Sequence, residues 1–204
     1  MKRKAIFDTL RKILGRGFRQ SEVAAIDDVL DAAMPDTCDS ASTKRMPAKQ
    51  LRPSSTCFEL IKRFEGCASL RADGLIEAYP DPGTGDEPWT IGWGATGAGI
   101  GPGTVWTQAE CDARLAQDIE RHAVEVADAI GDTPTSQAEF DAMVSFHYNT
   151  GAIHRATLTA KHKSGDKPGA MEEFARWNRA GGRILKGLVR RRQAEARIYA
   201  SQNA

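Results

Sequence analysis

At 204 residues, with 28 Lys and Arg against 27 Asp and Glu, the chain carries a formal net charge of +1. That near-balance makes no global electrostatic case for nucleic acid, and the length allows one fair-sized domain plus an appendage. Hydrophobic content of 41% and charged content of 27% are those of an ordinary globular protein, and no apolar run approaches the length of a membrane span.

Residues 1–20 read as a basic amphipathic helix. Ile6, Phe7, Leu10, Ile13 and Leu14 form its apolar stripe, and seven basic residues stand against Asp8 alone. This start has no uninterrupted apolar core and no small-residue cleavage site, so it does not read as a secretion signal. Gly15 and Gly17 break the helix. Ser21 caps a second one, with Val23, Ile26, Leu30 and Ala33 on one face and Pro35 at its end. Residues 1–34 are therefore expected to form a helical hairpin, basic in its first half and acidic in its second. Residues 35–55, rich in Pro, Ser, Thr and Lys without periodicity, read as a linker. The main domain then spans 56–204.

Thr56-x-x-Glu59 matches a capping box opening a helix, with Phe58, Leu60, Ile61 and Phe64 apolar and Gly66 as its stop. Glu65 ends that helix at the negative pole of the dipole, which disfavours its charged form. A hairpin region over 68–94 follows, then a glycine-rich connection through Gly103. That connection lacks the Gly-Lys-Ser/Thr ending of a phosphate loop. Thr107-x-x-Glu110 opens a long helix to about Ile130, and Ser136-x-x-Glu139 opens another whose Phe140, Met143, Val144 and Tyr148 read as core. Shorter helices are expected at about 155–164, 168–178 and 188–200. A small sheet followed by many helices gives an α+β class with the sheet segregated.

Metal and nucleophile signatures are missing from the pattern. His122, His147, His154 and His162 show no ligand spacing. Cys38, Cys57, Cys67 and Cys111 show no metal-type pairing. Cys57 and Cys67, ten positions apart around one helix, stand about 15 Å apart at helical rise, too far to bridge within that element. The stretch 65–94 instead offers what cleavage of a glycosidic bond needs, a proton donor and a second carboxylate. Asp73, Glu77, Asp81, Asp86 and Glu87 all lie in the window. Trp89, Trp93, Phe146 and Tyr148 are the aromatic candidates for a sugar-binding cleft.

Glu65-Gly66, Tyr79-Pro80-Asp81 and Thr90-Ile91-Gly92-Trp93-Gly94 occur in the order found in the phage-type lysozymes, the endolysin family of the T-even phage lysozyme, which the chain resembles over roughly 55–200. Ser145-Phe146, Asn149-x-Gly151, Arg176-Trp177 and Arg191-Arg192-x-Ala194-Glu195 continue the match. The resemblance implies a lysozyme-like fold in which the long helix joins a small β lobe to a larger helical lobe. It makes Glu65 the acid, gives Asp81 the water side ahead of Asp86, and lets Thr90 position the water. Tyr79, Gly94, Phe146, Asn149 and Thr157 become substrate contacts, and Arg191 a cation reaching Glu65. That cation would favour the charged form of the acid, against the helix end.

Two departures stand out. The spacings from 65 to 81 and from 81 to 90 are longer than the family's, and Ala95 replaces a common histidine. The implied activity is hydrolysis of the β-1,4 bond between N-acetylmuramic acid and N-acetylglucosamine in peptidoglycan, by a monomer with no cofactor and no metal. The enzyme would move from host cytoplasm to cell wall, with contact between residues 1–20 and an anionic membrane as an option. Residues 176–197 carry eight Lys and Arg against Glu195 alone, a basic face suited to an anionic polymer such as peptidoglycan. The alternatives are a lytic transglycosylase using Glu65 alone, and a non-catalytic wall-binding or tail-associated module.

Overall fold

Residues 45–67, 70–80 and 85–201 are described in the computed structural model, all within the compact unit Ser42–Ala204. The expected hairpin over 1–34 and the linker up to residue 44 lie outside them. The linker's far end is corrected, because residues 45–53 are built into the domain. Strand β1 (Met46–Pro47) pairs antiparallel with Pro134–Thr135. A short 3-10 turn, Ala48–Gln50, follows, and Ala48 and Leu51 are buried in the main core. The composition is that of a linker, but two apolar side chains and a partner strand far along the chain override it.

Helix α1 (Ser55–Glu65) is capped by Ser54 rather than by Thr56, whose N–H donates to the Ser54 hydroxyl. Asp141 explains the shift of two residues, since it accepts from both the Ser54 N–H and the Ser54 hydroxyl. Burial pushes the Asp141 carboxyl up, and these hydrogen bonds pull it back. The cap is therefore bolted to the central helix, and the opposite end of α1 presents Glu65.

The small lobe pairs β2 (Ile76–Glu77) with β3 (Val105–Trp106), and bridges join Tyr79 to Thr90 and Ile91 to Ala95. Ile76, Ala78, Ile91, Ala95 and Cys111 form its own core, with Trp89, Trp93 and Trp106 packed against it. Gly92 is required there. Its φ is +62°, and a Cβ would stand 2.6 Å from the Cys111 sulfur. Helix α2 (Gln108–Ile130) has both halves of the Thr107–Glu110 capping box and ends at Gly131. β4 (Pro134–Thr135) leads to α3 (Gln137–Thr150), where the Ser136–Glu139 box also forms in full.

Helix α3 is buried on nearly every side from Ala138 to His147, the pattern of a central helix. Around it pack α1, α2, α4 (Thr157–Ser164), α5 (Lys167–Glu173) with a 3-10 turn, and α6 (Lys186–Ala200). Between α5 and α6 lies an unforeseen hairpin, β5 (Arg179–Ala180) with β6 (Arg183–Ile184), turning through Gly181 and Gly182 at φ +55° and +74°. The Gly-Gly pair was its signal. No helix among the described residues is long and apolar enough to cross a membrane.

His162 is fully buried between the hydroxyls of Thr135 (2.9 Å) and Tyr199 (2.7 Å). Burial first, then the charges of Lys167 and Arg45, lower it to about 3. Its unfolded counterpart titrates near 6.5, so between those values the unfolded chain binds a proton that the native state refuses. The stability this group confers is complete above about pH 6.5 and falls by about 1.4 kcal/mol per pH unit toward pH 3. Thermal melts at pH 7, 5 and 4 should therefore drop more steeply for the wild type than for His162→Asn. Parallel slopes would mean that His162 protonates in the native state.

Candidate active site

Glu65 is the last residue of α1, and Gly66 turns the chain away after it. Its side chain is 22% exposed and accepts a hydrogen bond from Arg191 Nη1 at 2.5 Å. Arg191 is itself fixed from three sides. Its Nε donates to Glu195 (3.2 Å), its Nη2 donates to the Ser145 carbonyl (3.3 Å), and its guanidinium lies 5.7 Å from the centre of the Phe64 ring.

Glu195 anchors this bracket. It is wholly buried and accepts from the Ser145 hydroxyl (2.8 Å) and from Arg192 Nη2 (2.9 Å), besides Arg191. Arg192 in turn donates to Asn149 Oδ1 at 3.0 Å. Burial pushes the Glu195 carboxyl up, while Arg192 and Arg191 pull it down. One carboxylate on α6 thus sets the position of the acid on α1 and of Asn149 on α3.

A cleft of about 470 Å³ opens in front of Glu65. The turn from Trp93 to Thr96 forms one part of its wall, Tyr148 and Asn149 from α3 another. Arg114, Asp118, Arg121 and His122 supply the α2 side. Asp118 accepts from Arg114 Nε (3.1 Å) and from Arg121, and Arg114 also donates to the Thr96 carbonyl (3.2 Å). Trp93 is locked by donating to Asp112 Oδ1 (2.6 Å), with the Lys62 ammonium 5.3 Å from its ring centre. Burial, and then the charge of Glu65, push the Tyr148 hydroxyl up to about 12. Tyr148 therefore stays neutral, a flat face with one donor. Gly94 lies close to the acid, since a Cβ there would be 3.9 Å from Glu65 Oε2.

The expected residues divide clearly. Glu65, Gly94, Asn149 and Arg191 come together. Tyr79 and Thr90 exchange backbone hydrogen bonds at 2.9 Å in both directions, in the lobe beside this cleft. Asp81 lies outside the described residues. Phe146 is corrected. It is fully buried, edge-on to Phe174 (5.6 Å) and Trp177 (5.3 Å), with the Arg192 guanidinium 5.2 Å from its ring centre. Tyr148, two residues and about 200° further round α3, takes the cleft-facing place. Thr157 is exposed at the start of α4 and does not line the cleft.

The α2 wall was missed. Its one signal, Arg114, Asp118 and Arg121 at helical spacing, reads equally as a solvated face. Among the described residues no cluster of His, Cys, Asp or Glu is arranged to hold a metal ion. His147 is buried against Glu125 (2.6 Å) and His154 is exposed. What this arrangement can do is hold a partly exposed carboxyl, oriented by one fixed cation, against a bound ligand.

The family model described as phage lysozyme matches residues 62–195. The endolysin of Lactococcus phage c2 is 36% identical over 149 residues, an alignment covering 73% of this chain and 60% of that protein. The match therefore spans about 60% of that relative's length. Among solved structures, the muramidase domain of SpmX from Asticaccaulis excentricus superposes with a TM-score of 0.62 at 29% identity, covering 74% of this chain and 98% of that one. An endolysin from Escherichia coli O157:H7 phage FAHEc1 gives a TM-score of 0.58 at 32% identity, covering 74% and 94%.

Proposed function

This chain belongs to the phage lysozyme family, and from that premise we propose that it hydrolyses the β-1,4 bond between N-acetylmuramic acid and N-acetylglucosamine in peptidoglycan. The observation that carries the reading is Glu65, a helix-terminal carboxyl facing a 470 Å³ cleft and oriented by a buried arginine. In this reading Glu65 delivers its proton to the glycosidic oxygen as the bond breaks. Asp81, with the Thr90 hydroxyl, orients and deprotonates the water that attacks the opposite face of the sugar. Inversion follows if the two carboxyls stand about 6.5–9.5 Å apart, leaving room for that water. Trp93 and Tyr148 offer flat faces to the pyranose rings, and Tyr79, Gly94 and Asn149 complete the sugar contacts. The enzyme acts as a monomer on the wall of a host in whose cytoplasm it is made.

Product chemistry tests this directly. Digested peptidoglycan should yield muramic acid ends that are reducible by borohydride and that take up one oxygen from labelled water. Anhydro ends without label would mean a transglycosylase that uses Glu65 alone. No soluble product at all would leave only a wall-binding module.

A further inference from the structure

The basic stretch 176–197 separates into two populations once folded. Arg191 and Arg192 are buried and pair with Glu195, the stretch's only acid. Arg176, Arg179, Arg183, Lys186, Arg190 and Arg197 remain exposed. Because Glu195 is buried and engaged, it neutralises none of this surface charge. Apolar side chains stand among the cations, with Ile184 56% and Leu185 43% exposed.

The hairpin gives this surface its shape. Arg179 pairs with Ile184 and Ala180 with Arg183, so one face carries a guanidinium beside an isoleucine. Arg179 also donates to the Gly182 carbonyl at 3.3 Å, which stiffens the turn. A two-stranded ribbon is marginal by itself, and this one shows its apolar residues to solvent instead of the core. Packing therefore gives no reason for it. Its location does. The hairpin runs straight into α6, and from Lys186 to Arg191, which touches Glu65, is about 7.5 Å along the helix axis.

We propose that the exposed face of residues 179–186 is a docking surface for the peptidoglycan polymer outside the cleft, gripping carboxylates of its stem peptides. The proposal rests on the hydrolase reading above. Charge complementarity favours this occupant. Two of the three cations on this face, Arg179 and Arg183, are arginines, whose planar fork matches a carboxylate bidentately. Ile184 and Leu185 can lie against the apolar parts of the same peptides. A cleft of this size takes only a few sugars, so a second grip beside it raises the local concentration of a long substrate.

The test uses the full chain bearing Glu65→Gln, so that binding is measured without cleavage. Co-sedimentation with purified sacculi should weaken about fivefold or more when Arg179, Arg183 and Lys186 are all changed to Gln, and added salt should weaken the parent far more than the triple variant. In the active background, the same three changes should raise KM on sacculi by a similar factor and leave kcat alone. Sacculi whose peptide carboxylates are capped with ethanolamine by carbodiimide coupling stay insoluble and should bind both proteins equally. Equal binding of parent and triple variant to intact sacculi at low salt would overturn the proposal. So would charge-dependent binding that survives capping of those carboxylates, or that appears only on anionic vesicles. Binding is scored apart from cleavage: a chain that binds sacculi by charge but never cuts them fails the hydrolase reading alone.

Discussion

Changing Glu65 to Gln should lower kcat on peptidoglycan by roughly 10²–10⁴-fold, the usual contribution of a positioned general acid, while KM moves little. The amide keeps the shape and can still accept from Arg191, so the end of α1 and the cleft wall stay in place. What it cannot do is release a proton to the leaving oxygen. A fall in kcat with a steady KM is the pattern of a group acting only in the transition state. The loss should be matched by Asp81→Asn and not by Asp86→Asn, since only the former follows Tyr79, whose backbone is paired with Thr90. Near-normal lysis by the Glu65 variant would remove the central claim. A swap between the two aspartates would relocate the second carboxylate within the turn.

Replacing Glu195 with Ala should be the most destabilising single change near the site. It leaves two guanidiniums, Arg191 at 3% and Arg192 at 1% side-chain exposure, without their shared anion. Removing one partner from a buried ion pair costs about 3–5 kcal/mol, roughly 10 °C in melting temperature for a domain of this size. Activity should fall beyond what unfolding explains, because Arg191 orients Glu65 and Arg192 holds Asn149. Glu195→Gln, which keeps an acceptor for the Ser145 hydroxyl, should recover part of the stability. Melting curves alongside kcat at a temperature where every variant is folded separate the two effects. An unchanged melting point for the Ala variant would show that solvent reaches the arginines and that Glu195 is no anchor.

How much of this was legible beforehand depended on range along the chain. The ends of α2 and α3 were readable because a capping box works over three residues, and Thr107–Glu110 and Ser136–Glu139 both close as their spacing requires. Glu65 before Gly66 was readable for the same reason, as was the α+β order of elements. Even the cap of α1 moved only from Thr56 to Ser54, once Asp141 competed for it. Apart from the β5–β6 hairpin, whose Gly181-Gly182 signal is local, the failures involve distance or direction. Residues 45–53 have the composition of a linker, and only pairing with Pro134–Thr135 recruits them. Phe146 and Tyr148 sit on a helix buried almost all round, where apolar periodicity marks no face as the cleft. The eight cations of 176–197 looked alike in sequence. Folding buried two of them around Glu195, pointed one of these at an acid 126 residues away, and left the other six exposed, Arg176 among them paired with Glu173. Local backbone and cap energetics are written in neighbouring residues. Which carboxylate a buried guanidinium meets, and which aromatic face is left open, is decided by packing elements that the chain brings together only when it folds.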